Sequence, residues 1–163
     1  MRTSTAGIVL LLFTLLLLSC TGNKSDGEER FIDGMRLSEL GRWTEAIAEF
    51  DGAISLDPEY AVAYSNRGRA FNRVGQPLRG LQDHIEAIKL RPDVSTFWYN
   101  RGNAYFDLAQ YQRAIDDYDE AIRLNPEEGL AYISRAAAYN RLGRRDEAQD
   151  DLEKAGELED APE

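Results

Sequence analysis

Two side chains that carry much of protein chemistry are almost missing from this chain. Cys20 is its one cysteine and His84 its one histidine in 163 residues. A lone cysteine excludes an intramolecular disulfide. A lone histidine with no second thiol excludes a nitrogen- or sulfur-ligated metal site. Phosphate loops and dinucleotide fingerprints are also absent, since Gly34-Met35 and Gly102-Asn103 fall inside helical periodicity. Positive charge is scarce: 19 Lys and Arg stand against 29 Asp and Glu, for a net charge of −10. That balance argues against nucleic acid and against a basic membrane-surface patch. The adjacent acids Asp116-Asp117 and Asp150-Asp151 point in different directions on a helix, so they read as a solvated face rather than a cation site. No catalytic constellation remains, so the chain is expected to be neither an enzyme nor a cofactor or metal carrier.

Proline is rare as well, but regular. Three of the five prolines, Pro58, Pro92 and Pro126, are spaced 34 residues apart. Other columns keep the same step: Gly34, Gly68, Gly102 and Ala136; Ala53, Ala87, Ala121 and Ala155; Leu56, Leu90, Leu124 and Leu158. Aromatics recur at Tyr64, Trp98 and Tyr132, and arginine at Arg67, Arg101 and Arg135. A fixed period of this length means stacked small units with long open surfaces, which points to binding rather than catalysis.

The third unit shows the local pattern. Ser95 and Thr96 supply hydroxyls for a helix start, and Trp98, Tyr105 and Leu108 follow at helical spacing. That helix is expected to stop near Ala109-Gln110, where the other units carry Gly41, Gly75 and Gly143. A second helix runs from Gln112 to Leu124, ended by Asn125-Pro126 because the residue before proline is pushed out of helical geometry. Each unit is therefore helix, turn, helix, turn.

These residues resemble the tetratricopeptide repeat: Trp98, Gly102, Tyr105, Ala114, Tyr118, Ala121 and Pro126 in the third unit, with matching columns in the others. The resemblance spans residues 28 to about 160. It implies an all-α fold, a right-handed α-solenoid of about four helix-turn-helix repeats. The repeat domain is expected over 30–160, in units of about 27–60, 61–94, 95–128 and 129–162. Gly80 and His84 depart from the pattern in unit two, in place of a small alanine and an aromatic. His84 is expected to pack in the core. The acids Asp150, Asp151, Glu153 and Glu157 are expected to solvate the exposed last helix.

In this family the first helices line the concave side. The residues left over from packing there are the candidate partner-binding set: Asn66, Arg69, Asn72, Arg73, Tyr99, Asn100, Asn103, Phe106, Asn140 and Arg141. Asparagine is a poor helix former, so its recurrence on these helices calls for a reason. Either its amide reads an extended peptide backbone, or the repeat keeps Asn66 and Asn100 for internal hydrogen bonds. Arg69, Arg73 and Arg141 would favour carboxylates on a protein or peptide partner. The Arg67, Arg101 and Arg135 column is expected to pair with acids on the second helices, such as Asp83, Asp116 or Asp117. Asn66 and Asn100 resemble the asparagines of the family's carboxylate clamp, but Leu130 and Ser134 stand where its basic partners would be. Pairing of copies through terminal helices, or through exposed aromatics such as Phe31 and Phe97, leaves a structural homo-oligomer as the alternative reading.

The N-terminus carries an address. Arg2 precedes an apolar run from Ile8 to Leu18, broken by Thr14 alone and too short to span a bilayer as a helix. Leu17-Leu18-Ser19-Cys20 at its end resembles the lipobox of bacterial lipoproteins. The resemblance implies a signal peptide over 1–19, cleavage before Cys20, and acylation of that residue with palmitate or a similar chain. Residues 20–29 would then be the lipidated cysteine and a flexible polar tether. By resemblance to proteobacterial lipoproteins, where Asp after the cysteine retains the protein at the inner membrane, Thr21 favours the outer membrane of the bacterial envelope. A membrane-anchored adaptor or scaffold is the expectation that joins the two halves.

Overall fold

The computed structural model of the protein describes residues 25–160. Among these residues there are eight helices and no strand. Helix α1 covers residues 25–39. It is followed by α2 (Trp43–Leu56), α3 (Ala61–Arg73), α4 (Pro77–Leu90), α5 (Ser95–Asp107), α6 (Tyr111–Leu124), α7 (Gly129–Arg141) and α8 (Arg145–Glu159). Each helix from α2 onward packs on the next, and α5 also touches α3 and α7. The architecture is the helix-turn-helix solenoid of the sequence reading. Residues 25–29, expected to be tether, belong to α1, and Gly27 is buried against α2. The leader and Cys20 lie outside the described residues.

The recurring columns each have a physical cause. Phe50, His84 and Tyr118 are buried on the second helices of units one to three, and each ring lies against the glycine of its own first helix. A Cβ added at Gly34, Gly68 or Gly102 would stand 2.6, 2.7 or 2.6 Å from the facing ring. In unit four Leu152 replaces the ring, and alanine is accommodated at Ala136. Burying a ring of this size contributes about 2–3 kcal/mol. The aromatic and proline columns are also linked: Trp98 Nε1 donates to Pro92 O at 2.9 Å, and Tyr132 Oη to Pro126 O at 3.2 Å.

The turns inside the hairpins need a left-handed residue. Gly41, Gly75 and Gly143 take φ of 72°, 76° and 77°. Ala109 fills that position in unit three with φ 56°, a strained value for a residue bearing a Cβ. Ser95 does not cap α5; Val94 is the boundary residue and no side chain caps the helix, because Ser95 already lies in the first turn.

Several packing expectations change. Phe97 is 3% exposed, in a core with Ala61, Ala87 and Ile88, and Phe31 is half-buried against Phe50 and Tyr60. Neither ring is a free surface for pairing copies. Asp151, read as part of the solvated end, is buried and held by Arg135. Asp150, Glu153 and Glu157 are exposed as expected.

Candidate functional site

Seven of the ten candidate residues come together. Arg69, Asn72 and Arg73 of α3 share a groove with Tyr99, Asn100, Asn103 and Phe106 of α5. Its volume is about 770 Å³. Ser95, Thr96, Asp107, Ala121, Glu128 and Leu130 complete the walls. The spacing of 99, 103 and 106 places those side chains on one stripe of α5, as helical periodicity requires. The groove therefore sits where units two and three meet.

The asparagines divide by role. Asn100 is buried and its Nδ2 donates to Ser65 Oγ at 3.0 Å, so it ties α5 to α3 and presents little to a ligand. Asn66 lies outside the groove. Its Nδ2 donates to Val62 O in its own helix, and its Oδ1 accepts from Arg69 at 3.2 Å. The two asparagines of a carboxylate clamp are thus both spent within the protein, and Leu130, 57% exposed, occupies a basic partner's place. Asn103 Oδ1 accepts from Tyr118 Oη at 2.8 Å, leaving its amide nitrogen for the groove. Asn72 Oδ1 is buried without a donor and turned towards α4, 2.2 Å from where a Cβ on residue 80 would stand. Gly80 is the glycine that makes room for it. Asn140 and Arg141 do not line the groove. Arg141 instead stacks 4.8 Å from Tyr111 and 5.8 Å from Phe106, bracing the groove's aromatic edge.

Charge in the groove is mixed. Arg69 and Arg73 of α3 line it, as do Asp107 at the end of α5 and Glu128 just before α7. Arg73 also stacks 5.6 Å from Trp43. The sequence reading singled out the basic half; Glu128 was missed because it precedes its helix rather than following a helical stripe.

The arginine column is structural. Arg67, Arg101 and Arg135 each grip one buried acid of the following helix, at Asp83, Asp117 and Asp151 respectively. Asp116 is not among these partners; it is exposed and accepts from Gln112. The hydrogen bond to Asp151 raises the Arg135 pKa further above its ordinary value, against the opposing effect of burial. His84 is fully buried, with neither ring nitrogen hydrogen-bonded. Burial first, then the charges of Arg101 and Arg69, push its pKa down to about 3, so it is neutral in the folded protein. Among the described residues no cluster of His, Cys, Asp and Glu could hold a metal ion, and no helix is long and apolar enough to cross a membrane.

Comparison with known proteins agrees with this architecture. Tetratricopeptide repeat family models match residues 95–128 and 130–161, and a TPR repeat model matches 34–75. The chain belongs to the tetratricopeptide repeat family. No curated protein matches it. Among solved structures it is similar to the crystal structure of MamA, at 28% identity and TM-score 0.77, covering 82% of this chain and 78% of that one. MamA 41-end from Desulfovibrio magneticus RS-1 gives 25% identity and TM-score 0.76, covering 83% and 77%. The first TPR of Spaghetti (RPAP3), bound to the HSP90 peptide SRMEEVD, gives 22% identity and TM-score 0.72, covering 74% and 98%, a likeness of fold alone.

Proposed function

We propose that the chain is a membrane-anchored adaptor of the bacterial cell envelope that holds an extended segment of a partner protein in the groove between α3 and α5. The carrying observation is the groove itself, whose lining brings together Arg69 and Arg73, Asp107 and Glu128, and the rings of Tyr99 and Phe106. A segment with an acidic residue towards α3 and a basic one towards Asp107 would be matched, with apolar side chains against the rings. The likeness to MamA supports a tetratricopeptide scaffold. The RPAP3 domain, which holds a peptide, has the same fold. The concave groove, not that likeness, supplies the argument for this chain.

The anchor rests on sequence. Leu17-Leu18-Ser19-Cys20 after an apolar core supports lipidation at Cys20, and two or three acyl chains would hold the protein firmly to a bilayer, at about 0.8 kcal/mol per buried methylene. Thr21 supports the outer membrane. Radioactive palmitate should label the wild-type protein and not Cys20→Ser, which should also leave the membrane fraction. Capture of a partner from envelope extracts should fall with Arg69→Glu/Arg73→Glu and persist with Arg145→Glu on α8. Equal capture by both variants would remove the groove from the account.

A further inference from the structure

The arginine column shows that one junction of the stack lacks something its neighbours have. Arg67 holds Asp83 through Nε and Nη2 at 2.8 and 2.7 Å, and its Nη1 donates to Asp51 of the preceding unit at 2.7 Å. Arg135 repeats the arrangement, with Asp151 at 2.9 and 2.6 Å and Asp119 on Nη1 at 2.6 Å. Arg101 holds Asp117 at 2.8 and 2.7 Å, but its Nη1 has no hydrogen bond among the described residues. One residue explains this. The position one repeat after Asp51 and one repeat before Asp119 is Ile85, which is 43% exposed and has no oxygen to offer.

Arg101 also lines a second cavity, of about 460 Å³, with Trp98, Tyr105 and Arg113. By helical periodicity these residues of α5 lie nearly opposite Tyr99, Asn103 and Phe106, so this is not the groove. The guanidinium is held in place: it stacks 4.9 Å from Trp98 and 5.9 Å from Tyr105 while Asp117 fixes two of its nitrogens. The geometry points to a receptor notch for one carboxylate, an aspartate or glutamate side chain of a partner protein, seated on Arg101 Nη1. The acceptor class is read from the two sister junctions, where an aspartate fills this arm of the fork. The cavity wall also carries Asp116, Asp117 and Glu120, which disfavour a doubly charged phosphate. They do not exclude a single carboxylate, since the α6/α7 junction seats Asp119 with Asp150 and Asp151 adjacent in sequence on the following helix. Ile85, exposed and apolar, stands outside this cavity's wall at the position where the sister junctions carry the aspartate, so apolar residues should flank the partner's acid.

The test needs no knowledge of the partner. A capped peptide, acetyl-Ala-Leu-Asp-Leu-Ala-amide, is titrated into the purified full chain while the Nε–H signal of Arg101 is followed by NMR. A saturable shift is expected with this peptide and none with its Asn analogue or with inorganic phosphate. Ile85→Asp should fill the arm from within, weaken the peptide at least about tenfold, and raise the melting temperature by a few degrees. Ile85→Ala should retain binding. Arg69→Glu/Arg73→Glu should also retain it, which separates this notch from the groove. An equal shift with the Asn peptide or phosphate, no saturation by millimolar peptide, or an Ile85→Asp variant that binds as wild type would each overturn the assignment.

Discussion

The outer junctions of the stack, α2 with α3 and α6 with α7, are clamped alike, and the middle junction, α4 with α5, is not. At each outer junction an arginine bridges acids on the two flanking second helices: Arg67 between Asp51 and Asp83, Arg135 between Asp119 and Asp151. A second arginine stacks back on an aromatic of the preceding unit, Arg73 on Trp43 and Arg141 on Tyr111. The middle junction has Ile85, Asp107 and Pro77 at the corresponding positions. It is held instead by the Asn100–Ser65 hydrogen bond and by the apolar cluster of Ala61, Ala87, Ile88 and Phe97. The groove opens at this less clamped junction. The repeat thus fixes a fold in every unit, while the groove opens where the clamping residues depart from it.

The largest effect should come from cutting a clamp. Arg135→Met leaves the buried Asp151 carboxylate unpaired, and a cost of about 3 kcal/mol is expected in urea unfolding. Arg101→Met should cost less, because only one acid loses its partner. Equal losses would break the distinction between junctions.

Next comes pH, through His84 beside the middle junction. Its folded pKa, about 3, lies below the ordinary histidine value, so the neutral ring stabilises the fold fully above about pH 6.5. That contribution is lost as pH falls towards the folded value, by about 2 kcal/mol at pH 5. His84→Phe, which restores the ring type of Phe50, should remove this part of the slope in paired unfolding curves at pH 7.5 and 5. Parallel slopes in both proteins would contradict the buried neutral histidine.

Ala109→Gly should stabilise by about 1 kcal/mol by relieving the left-handed strain, a gain readable as a higher melting temperature. The smallest effect belongs to the exposed acids: Asp51→Asn and Asp119→Asn should each cost only about 0.5 kcal/mol, because both carboxylates are 52% exposed and solvent screens them. A large loss from either would mean that the outer clamps rest on the exposed arm of the fork.

Much of this fold is legible in the residues, because packing between identical units imposes the same side-chain size at the same step. Gly102 against Tyr118 within one unit, and Trp98 hooked on Pro92 just before its unit, join residues close in sequence and can be seen as columns. What escapes is contact between units whose partners differ. Phe97 reads as exposed until Ala61 and Ile88 of the preceding unit close over it. Within unit four, Asp151 reads as solvated until Arg135 reaches it from the paired helix. Asn100 could serve a ligand or the fold, and Ser65, 35 residues away, assigns it to the fold. The groove's seven shared residues were recoverable because they fall on the first helices α3 and α5 at helical spacing; Glu128 sits outside any stripe.

A photo-crosslinking amino acid placed at Thr96 in the groove, with Gln149 on α8 as the reference position, tests the central claim in the native envelope. The account predicts a discrete polypeptide adduct from Thr96, none from Gln149, and loss of the Thr96 adduct when Arg69→Glu/Arg73→Glu is added. Adducts of equal yield from both positions, or a Thr96 adduct indifferent to the charge reversal, would contradict it.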